Sequence, residues 1–145
     1  GWSGGGSMSL HALFRYPDLY RTAIAVAPNA SQLLYDTIYQ ERYMGLPADN
    51  ADGYRDGSPI THAAHLRGNL LLVHGTGDDN CHYQNCEVLV NELVRLHKPF
   101  SQVSYPNRSH SIDEGANTKR HLYATLTDYL RDHLPANPRP TAFTP

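Results

Sequence analysis

The sequence has 145 residues, a length that supports one domain with a hydrophobic core of its own. Its 12 basic and 14 acidic residues are mixed along the chain and give a formal net charge of −2. This balance provides no basic stripe for nucleic acid, so we expect no nucleic-acid partner. No apolar run approaches the roughly 20 residues of a membrane-spanning helix, and we expect no membrane insertion.

The first six residues, GWSGGG, fit the pattern G-x-S-x-G of a nucleophile elbow. In that motif a sharp turn between a strand and a helix lifts a serine hydroxyl, here that of Ser3, above the edge of a parallel sheet. Glycine at Gly1 and Gly5 would leave room for the turn, because a side chain there would meet the neighbouring strand or helix. The alternative is a flexible glycine- and serine-rich stretch, since short glycine patterns also occur by chance.

Apolar spacing along the chain predicts helices and strands in alternation. Four segments have the spacing of amphipathic helices, namely residues 7–16, 31–45, 83–97 and 118–133. A short helix is predicted at residues 60–66. Three short apolar or alternating runs are typical of strands, namely residues 22–28, 69–75 and 100–106. Proline, glycine and polar residues predict a long surface loop over residues 46–59.

This alternation predicts an α/β fold with a parallel sheet flanked by helices. Ligands of such sheets bind beyond the carboxyl ends of the strands, so chemistry is expected in the loops that follow them. The loop after the second predicted strand carries Asp78 and Asp79, and the loop after the third carries His110. Ser3 would follow a strand that precedes residue 1.

Serine, acid and histidine therefore occur in the chain order of α/β-hydrolases. Serine is a weak nucleophile at neutral pH and needs a base, for which His110 is suited, while a carboxylate fixes the tautomer of that base. The pattern favours a catalytic triad of Ser3, Asp78 and His110. Spacing does not separate adjacent acids, so Asp79 remains an alternative to Asp78.

The remaining cysteines and histidines are better explained by structural roles than by catalysis or metal binding. Cys81 and Cys86 are five residues apart near a predicted helix and point in different directions, so we expect no mutual disulfide. With His82 they match no zinc spacing, and we expect neither a metal nor another cofactor. His74 directly follows a strand core and predicts a structural hydrogen bond. The helical position of His11 favours a surface or packing role.

Several motifs together resemble the catalytic domain of the prolyl oligopeptidase family, in its dipeptidyl peptidase IV branch of bacterial type. These motifs are GWSGGG, IAVAP, LYDTIYQERYMGLP, GSPI, LLLVHGTGDDN and the loop of His110. The resemblance covers residues 1–135 and implies the C-terminal part of an α/β-hydrolase fold that starts at the nucleophile elbow. It implies a serine peptidase that acts on peptides, with dipeptidyl-peptidase-like cleavage after proline or a small residue. The proline-rich residues 136–145 predict a disordered tail.

The resemblance also implies roles for single residues. Ser3 is the nucleophile, Asp78 the acid and His110 the base, and the backbone N–H of Gly4 belongs to the oxyanion hole. These assignments select the first of the two adjacent acids.

Substrate-binding residues follow from the same resemblance. Tyr35 and Tyr39, which their spacing alone would place in the core, become walls of the pocket for the proline side chain. Asn80 binds a substrate carbonyl oxygen through its amide, and Cys81 lines the pocket.

Five residues depart from the family pattern. Gly4 stands where the family usually has a tyrosine, and Ser111 stands where a glycine usually follows the histidine. Gln32 stands where the mammalian enzyme has a tryptophan, and Asn29 and Cys81 stand where it has valines. We therefore expect a pocket that is wider or more polar, with less strict selectivity for proline.

The resemblance further implies an upstream portion with more strands, a β-propeller, acidic residues for the substrate amino terminus and an oxyanion tyrosine. Loss of one oxyanion donor costs about 100- to 1,000-fold in rate. We expect weak activity from these 145 residues unless that portion or a second copy of the chain covers the open sheet edge. A periplasmic or secreted location is implied as well. An esterase on the same triad and a non-catalytic assembly module remain alternatives.

Overall fold

The computed structural model describes residues 1–134, so the tail predicted at residues 136–145 lies outside the described residues. Three strands form one sheet in the order β1–β2–β3. They are Thr22–Val26 (β1), Asn69–Gly75 (β2) and Ser101–Tyr105 (β3). The central strand β2 pairs in parallel with both neighbours. The predicted α/β fold with a parallel sheet flanked by helices is confirmed.

Helices connect the strands and cover the sheet. The α-helices within residues 1–134 are Gly4–Arg15 (α1), Thr37–Met44 (α2), Ala51–Asp56 (α3), Gln84–Arg95 (α4) and Thr118–His133 (α5). Two further segments, Gln32–Leu34 and Pro59–His65, are 3₁₀ helices. Within residues 1–134, no helix combines the length and the apolar character that crossing a membrane requires.

The helix predicted over residues 31–45 is divided in two. Tyr35 is extended, and α2 begins after Asp36, whose carboxylate accepts hydrogen bonds from the N–H groups of Ile38 and Tyr39. This side-chain cap starts a new helix and competes with continuation of the preceding one.

The surface loop predicted over residues 46–59 contains helix α3. Asn50 caps it by accepting a hydrogen bond from the Gly53 N–H at 3.2 Å. Because the capping oxygen satisfies a free N–H of the first turn, even a short and polar segment forms a helix.

Two apolar clusters hold the sheet between layers of helices. Alternate residues of β2 point to opposite faces, as the pleat of a strand requires. Leu70 and Leu72 pack against α1 and α4 on one face, while Leu71 and Val73 join a cluster that includes Leu122 on the other. Full burial of such side chains contributes about 1.5–3 kcal/mol each. The carboxyl ends of the three strands are thereby held at one edge.

Candidate active site

The first residues of the chain form a strained turn between strand and helix. Ser3 has φ 55° and ψ −123°, a conformation that costs a non-glycine residue free energy. Its N–H donates to the Val26 carbonyl at 2.8 Å, and the Val26 N–H donates to the Gly1 carbonyl at 2.9 Å. Residues 1–3 thus run as a short extension of the sheet beside β1 before α1 begins.

Close approach of the backbone explains two of the glycines. A Cβ atom at Gly1 would lie 2.2 Å from the Gly5 carbonyl oxygen, and one at Gly6 would lie 2.9 Å from the Val26 carbonyl oxygen. The expectation for Gly5 is wrong, because its Cβ position is open. Gly6, one residue further along α1, is the glycine that faces the neighbouring strand.

The loops after β2 and β3 join Asp78 to His110. The Nδ1–H of His110 donates to Oδ2 of Asp78 at 2.7 Å. The Asp78 side chain is fully buried, whereas Asp79 is exposed. Burial alone would raise the pKa of Asp78, but hydrogen bonds from His74, His110 and the Asn80 N–H outweigh it and lower that pKa below its ordinary value. A charged carboxylate therefore orients the imidazole ring.

Backbone contacts fix the distance between these two loops. The Gly77 N–H donates to the Arg108 carbonyl at 3.1 Å, and the Asn107 N–H donates to the Thr76 hydroxyl at 2.8 Å. A Cβ atom at Gly75 would lie 2.2 Å from the Arg108 carbonyl oxygen. The loops pack so closely that only glycine fits there.

Ser3 lies at the same edge without a hydrogen bond to the predicted base, His110. Its Oγ is 3.9 Å from Sγ of Cys81, and within residues 1–134 no hydrogen bond joins it to the His110 ring. With Nδ1 held by Asp78, the Nε2 atom of His110 is the nitrogen left for proton exchange. In substrate-free sites the bond between nucleophile and base is often long and shortens on binding.

His74 is a second histidine on the same carboxylate. Its Nε2 lies 3.2 Å from Oδ2 of Asp78 and 2.8 Å from the Cys81 carbonyl oxygen, and the ring is completely buried. The predicted structural hydrogen bond of His74 is confirmed. The contact with Asp78, four residues further along the chain, was not predicted.

A pocket of about 550 Å³ opens beside Ser3 and Gly4. Tyr35, Tyr39 and Cys81 line it, and the two tyrosine rings meet edge to face with centroids 5.5 Å apart. Burial raises the pKa of the Cys81 thiol to about 11, so the thiol is neutral. Three of the four residues predicted to bind substrate therefore share one cavity with the predicted nucleophile.

Asn80 lies outside the lining of that cavity. Its Oδ1 accepts a hydrogen bond from the Tyr35 hydroxyl at 3.0 Å, and it lines a neighbouring polar cavity with Asp36 and Asp79. Asn80 thus supports a pocket wall through its contact with Tyr35.

Polar side chains also line this pocket, among them those of His11, Asn29, Gln32 and Gln40. The resemblance singles out Asn29 and Gln32 as departures, whereas Gln40 was not predicted and His11 was assigned to surface or packing. The first turns of α1 carry both Gly4 and His11, so one helix contributes the strained turn and part of the pocket.

Gly4 is the first residue of α1. The leading N–H groups of a helix have no partner within it, and the helix dipole gives that end a partial positive charge. Gly4 lines the pocket beside Ser3, at the position predicted for an oxyanion donor. In the described part of the chain, no group of three His, Cys, Asp or Glu residues is arranged to hold a metal ion.

Known proteins resemble this chain in sequence and in fold. The sequence profile of the prolyl oligopeptidase family matches residues 1–137. The prolyl endopeptidase FAP of Mus musculus is 39% identical over 134 residues, which cover 90% of this chain and 18% of that protein. The dipeptidyl peptidase 8 of Homo sapiens is 40% identical over 142 residues, which cover 94% of this chain and 16% of that protein.

A solved structure shows the same fold. The crystal structure of Porphyromonas gingivalis dipeptidyl peptidase 4 matches with a TM-score of 0.89 and 42% identity, over 92% of this chain and 19% of that chain. The chain thus spans less than a fifth of the length of these relatives. Family profile, sequence identity and fold agree that the chain belongs to the prolyl oligopeptidase family.

Proposed function

We propose that the chain carries the catalytic residues of a serine peptidase that removes dipeptides through an acyl-enzyme. The observation that carries this proposal is the hydrogen bond of 2.7 Å between His110 and the buried Asp78. It places an oriented imidazole at the sheet edge where the strained turn presents Ser3. Peptidases and dipeptidyl peptidases among the relatives support the same reaction class.

Each residue has one task in this mechanism. Ser3 Oγ attacks the scissile carbonyl carbon while Nε2 of His110 takes the hydroxyl proton. Asp78 keeps the proton on Nδ1 and stabilises the imidazolium, and the N–H of Gly4 binds the developing oxyanion. The C–N bond then breaks, and His110 returns the proton to the leaving amine.

Hydrolysis of the acyl-enzyme uses the same groups in a second round. His110 takes a proton from water, the water oxygen bonds to the acyl carbon, and the bond to Ser3 breaks with return of the proton to its oxygen. Neither step changes an oxidation state, so the reaction needs no oxidant or reductant.

Substrate binding is assigned to the pocket beside Ser3. We propose that Tyr35, Tyr39 and Cys81 surround the side chain next to the cleaved bond. Asn80 already accepts a hydrogen bond from Tyr35 through its oxygen, which leaves its amide nitrogen to donate to a substrate carbonyl. Because the oxygen and the nitrogen of the Asn80 amide would serve different partners, this contact supports the role that the resemblance implies for Asn80.

The remaining functions are proposed for a longer protein or a second copy of the chain. An apolar cavity of about 490 Å³ runs along the outer side of β1, lined by Ile24, Leu126 and Leu130 among others. Further strands or another copy of the chain would cover this cavity. The longer protein would also supply the acidic residues that bind the substrate amino terminus and a second oxyanion donor. We also propose a periplasmic or secreted location, which cell fractionation tests.

The first experiment measures the mass of the longest natural protein that contains this chain after treatment with a fluorophosphonate. We expect one adduct that is lost in Ser3→Ala and strongly reduced in His110→Ala. Hydrolysis of a dipeptide anilide and of a simple acyl ester is then compared, because an esterase would prefer the ester. A folded protein without any adduct would contradict the proposed peptidase and favour an assembly module.

A further inference from the structure

Helix α4 carries an amide on a buried face that is otherwise apolar. The buried residues of this helix are Asn85, Cys86, Leu89 and Leu93, and Asn85 is completely buried. Burial of an amide is unfavourable unless its polar atoms find partners inside the protein. The contacts of the Asn85 side chain therefore indicate what this position contributes to the structure.

Those contacts lie on the segment that leads from β1 to the pocket. Oδ1 of Asn85 accepts hydrogen bonds from the N–H groups of Ala30 at 3.1 Å and Ser31 at 3.2 Å. Nδ2 of Asn85 donates to the carbonyl of Leu34 at 3.2 Å. One amide thus binds both ends of the 3₁₀ helix Gln32–Leu34, where backbone groups need partners from outside the helix.

The residue that follows this short helix is a wall of the pocket. Tyr35 comes directly after Leu34, and its hydroxyl donates to Oδ1 of Asn80 at 3.0 Å. Asn80 and Asn85 both belong to the stretch that follows β2. This stretch therefore holds the wall at its hydroxyl and at the backbone just before it. Loss of either contact would let the ring shift within the cavity that Ser3 also lines.

The same stretch carries the predicted acid of the triad. Oδ1 of Asp78 accepts hydrogen bonds from the N–H groups of Asn80 and Cys81, each at 2.9 Å. The backbone N–H of Asn85 donates to the His82 carbonyl at 2.9 Å. A run of hydrogen-bonded turns thus connects Asp78 to Asn85. The Asn85 amide links the loop of the acid to the pocket wall.

We propose that Asn85 is a positioning residue that sets the place of the pocket wall relative to the triad. It acts through the backbone of residues 30–34 and does not itself touch the substrate. This inference rests on the proposed function, because it concerns how the same site accepts the side chain next to the cleaved bond. Asn85 should therefore control selectivity for that side chain more than the chemistry at Ser3.

Two substitutions of Asn85 test this role in the longest natural protein that contains this chain. Asn85→Leu keeps a side chain of similar size and removes every hydrogen bond of the amide. Asn85→Asp keeps an acceptor for the N–H groups of Ala30 and Ser31, but it places a carboxylate oxygen against the Leu34 carbonyl. The two N–H groups and the N-terminal end of α4 favour the ionised form of this carboxylate. The second variant thus breaks the contact that is nearest to Tyr35.

Three substrates that fill the pocket to different extents provide the readout. Alanyl-proline p-nitroanilide places a ring there, alanyl-alanine p-nitroanilide places one methyl group there, and p-nitrophenyl acetate places no residue there. We expect each Asn85 variant to lower the Pro/Ala ratio of kcat/KM about tenfold, mainly through KM, because the ring no longer fits the shifted wall. Turnover of the acetate should stay within about twofold of the wild type. An unchanged Pro/Ala ratio would overturn the inference.

Two control variants on α4 separate positioning from general loss of stability. Asn91→Leu, at an exposed position, should leave the Pro/Ala ratio unchanged. Leu93→Ala removes buried apolar atoms about two turns beyond Asn85. It should lower the free energy of unfolding and leave the ratio within about twofold of the wild type. An equal fall of the ratio in Leu93→Ala would overturn the inference. If Asn85→Leu does not fold, Asn85→Asp decides.

Fluorophosphonate labelling separates this inference from the proposed function. Labelling of Ser3 together with an unchanged Pro/Ala ratio in the Asn85 variants would contradict the positioning role but not the peptidase. Absence of both labelling and anilide hydrolysis in the wild type would overturn both proposals. Labelling of Ser3 in every variant, with a lower ratio only in those at Asn85, supports both.

Discussion

The indole N–H of Trp2 donates to the backbone carbonyl of His110 at 3.0 Å. This contact joins the turn of Ser3 to the loop of the proposed base across 108 positions of sequence. Replacement of Trp2 by phenylalanine keeps a ring and removes the hydrogen bond. We expect kcat to fall about tenfold with KM nearly unchanged, because the bond positions the base and not the substrate. Tyr123→Phe, at an exposed ring, is the control, and an equal effect there would contradict this role.

Adjacent acids provide a matched pair of variants for the triad. Asp78→Asn removes the charge that orients His110 and should lower kcat by about 10⁴-fold, as the wrong tautomer does in other serine peptidases. Asp79→Asn changes an exposed residue, so turnover should stay within about twofold. Steady-state kinetics on a dipeptide anilide measures both. A larger loss in Asp79→Asn would reverse the assignment of the acid.

His74 is expected to hold Asp78 in place. His74→Phe removes the Nε2–H that both Asp78 and the Cys81 carbonyl share. Two buried acceptors then lose a donor, which should lower the free energy of unfolding by about 1–3 kcal/mol. We also expect lower kcat and partial rescue of both quantities in His74→Gln, which retains a donor. His82→Phe, at an exposed position, is the control, and equal losses there would argue against a positioning role.

Acid should weaken the contribution of Asp78 to stability. Its pKa is lowered in the folded state, so its stabilising effect is present above the unfolded pKa of about 3.9 and is lost as pH falls through the folded value. The difference in unfolding temperature between the wild type and Asp78→Asn should therefore be large at about pH 6 and shrink towards about pH 3. Thermal unfolding followed by circular dichroism measures it. A difference that grows on acidification would contradict the lowered pKa.

Alanine substitutions at Gly75 and Gly5 are expected to change the free energy of unfolding in opposite directions. Gly75→Ala places a Cβ atom 2.2 Å from a backbone oxygen and should destabilise the fold by about 1–3 kcal/mol. Gly5→Ala meets open space within α1 and should stabilise the helix by about 1 kcal/mol. Chemical denaturation of the two variants compares them. Similar shifts in both would show that the loop at Gly75 adapts.

The pattern of apolar residues in the sequence predicts strand β2 and helix α5 correctly. Strand β2 and helix α5 have the bounds that the sequence predicts, because each has an unbroken apolar run or face. Helix α3 was not predicted, since its existence depends on the cap at Asn50 rather than on an apolar face.

The order of Ser3, Asp78 and His110 along the chain was enough to predict the candidate triad. Features that depend on which side chains are buried could not be predicted from the sequence. Spacing alone does not distinguish Asp78 from Asp79, whereas the structure buries only the first. The polar pocket wall was missed for a similar reason. His11 and Gln40 lie on different helices, and only the fold brings both to Ser3.

The close packing of Gly75 against the Arg108 carbonyl has a consequence for how such a site changes over time. The spacing of acid and base is set by main-chain atoms of two loops, which side-chain replacements elsewhere do not alter. The pocket wall, in contrast, is built from side chains of α1, α2 and the segment after β1. Substitutions can therefore accumulate in the pocket wall while the spacing between Asp78 and His110 is retained.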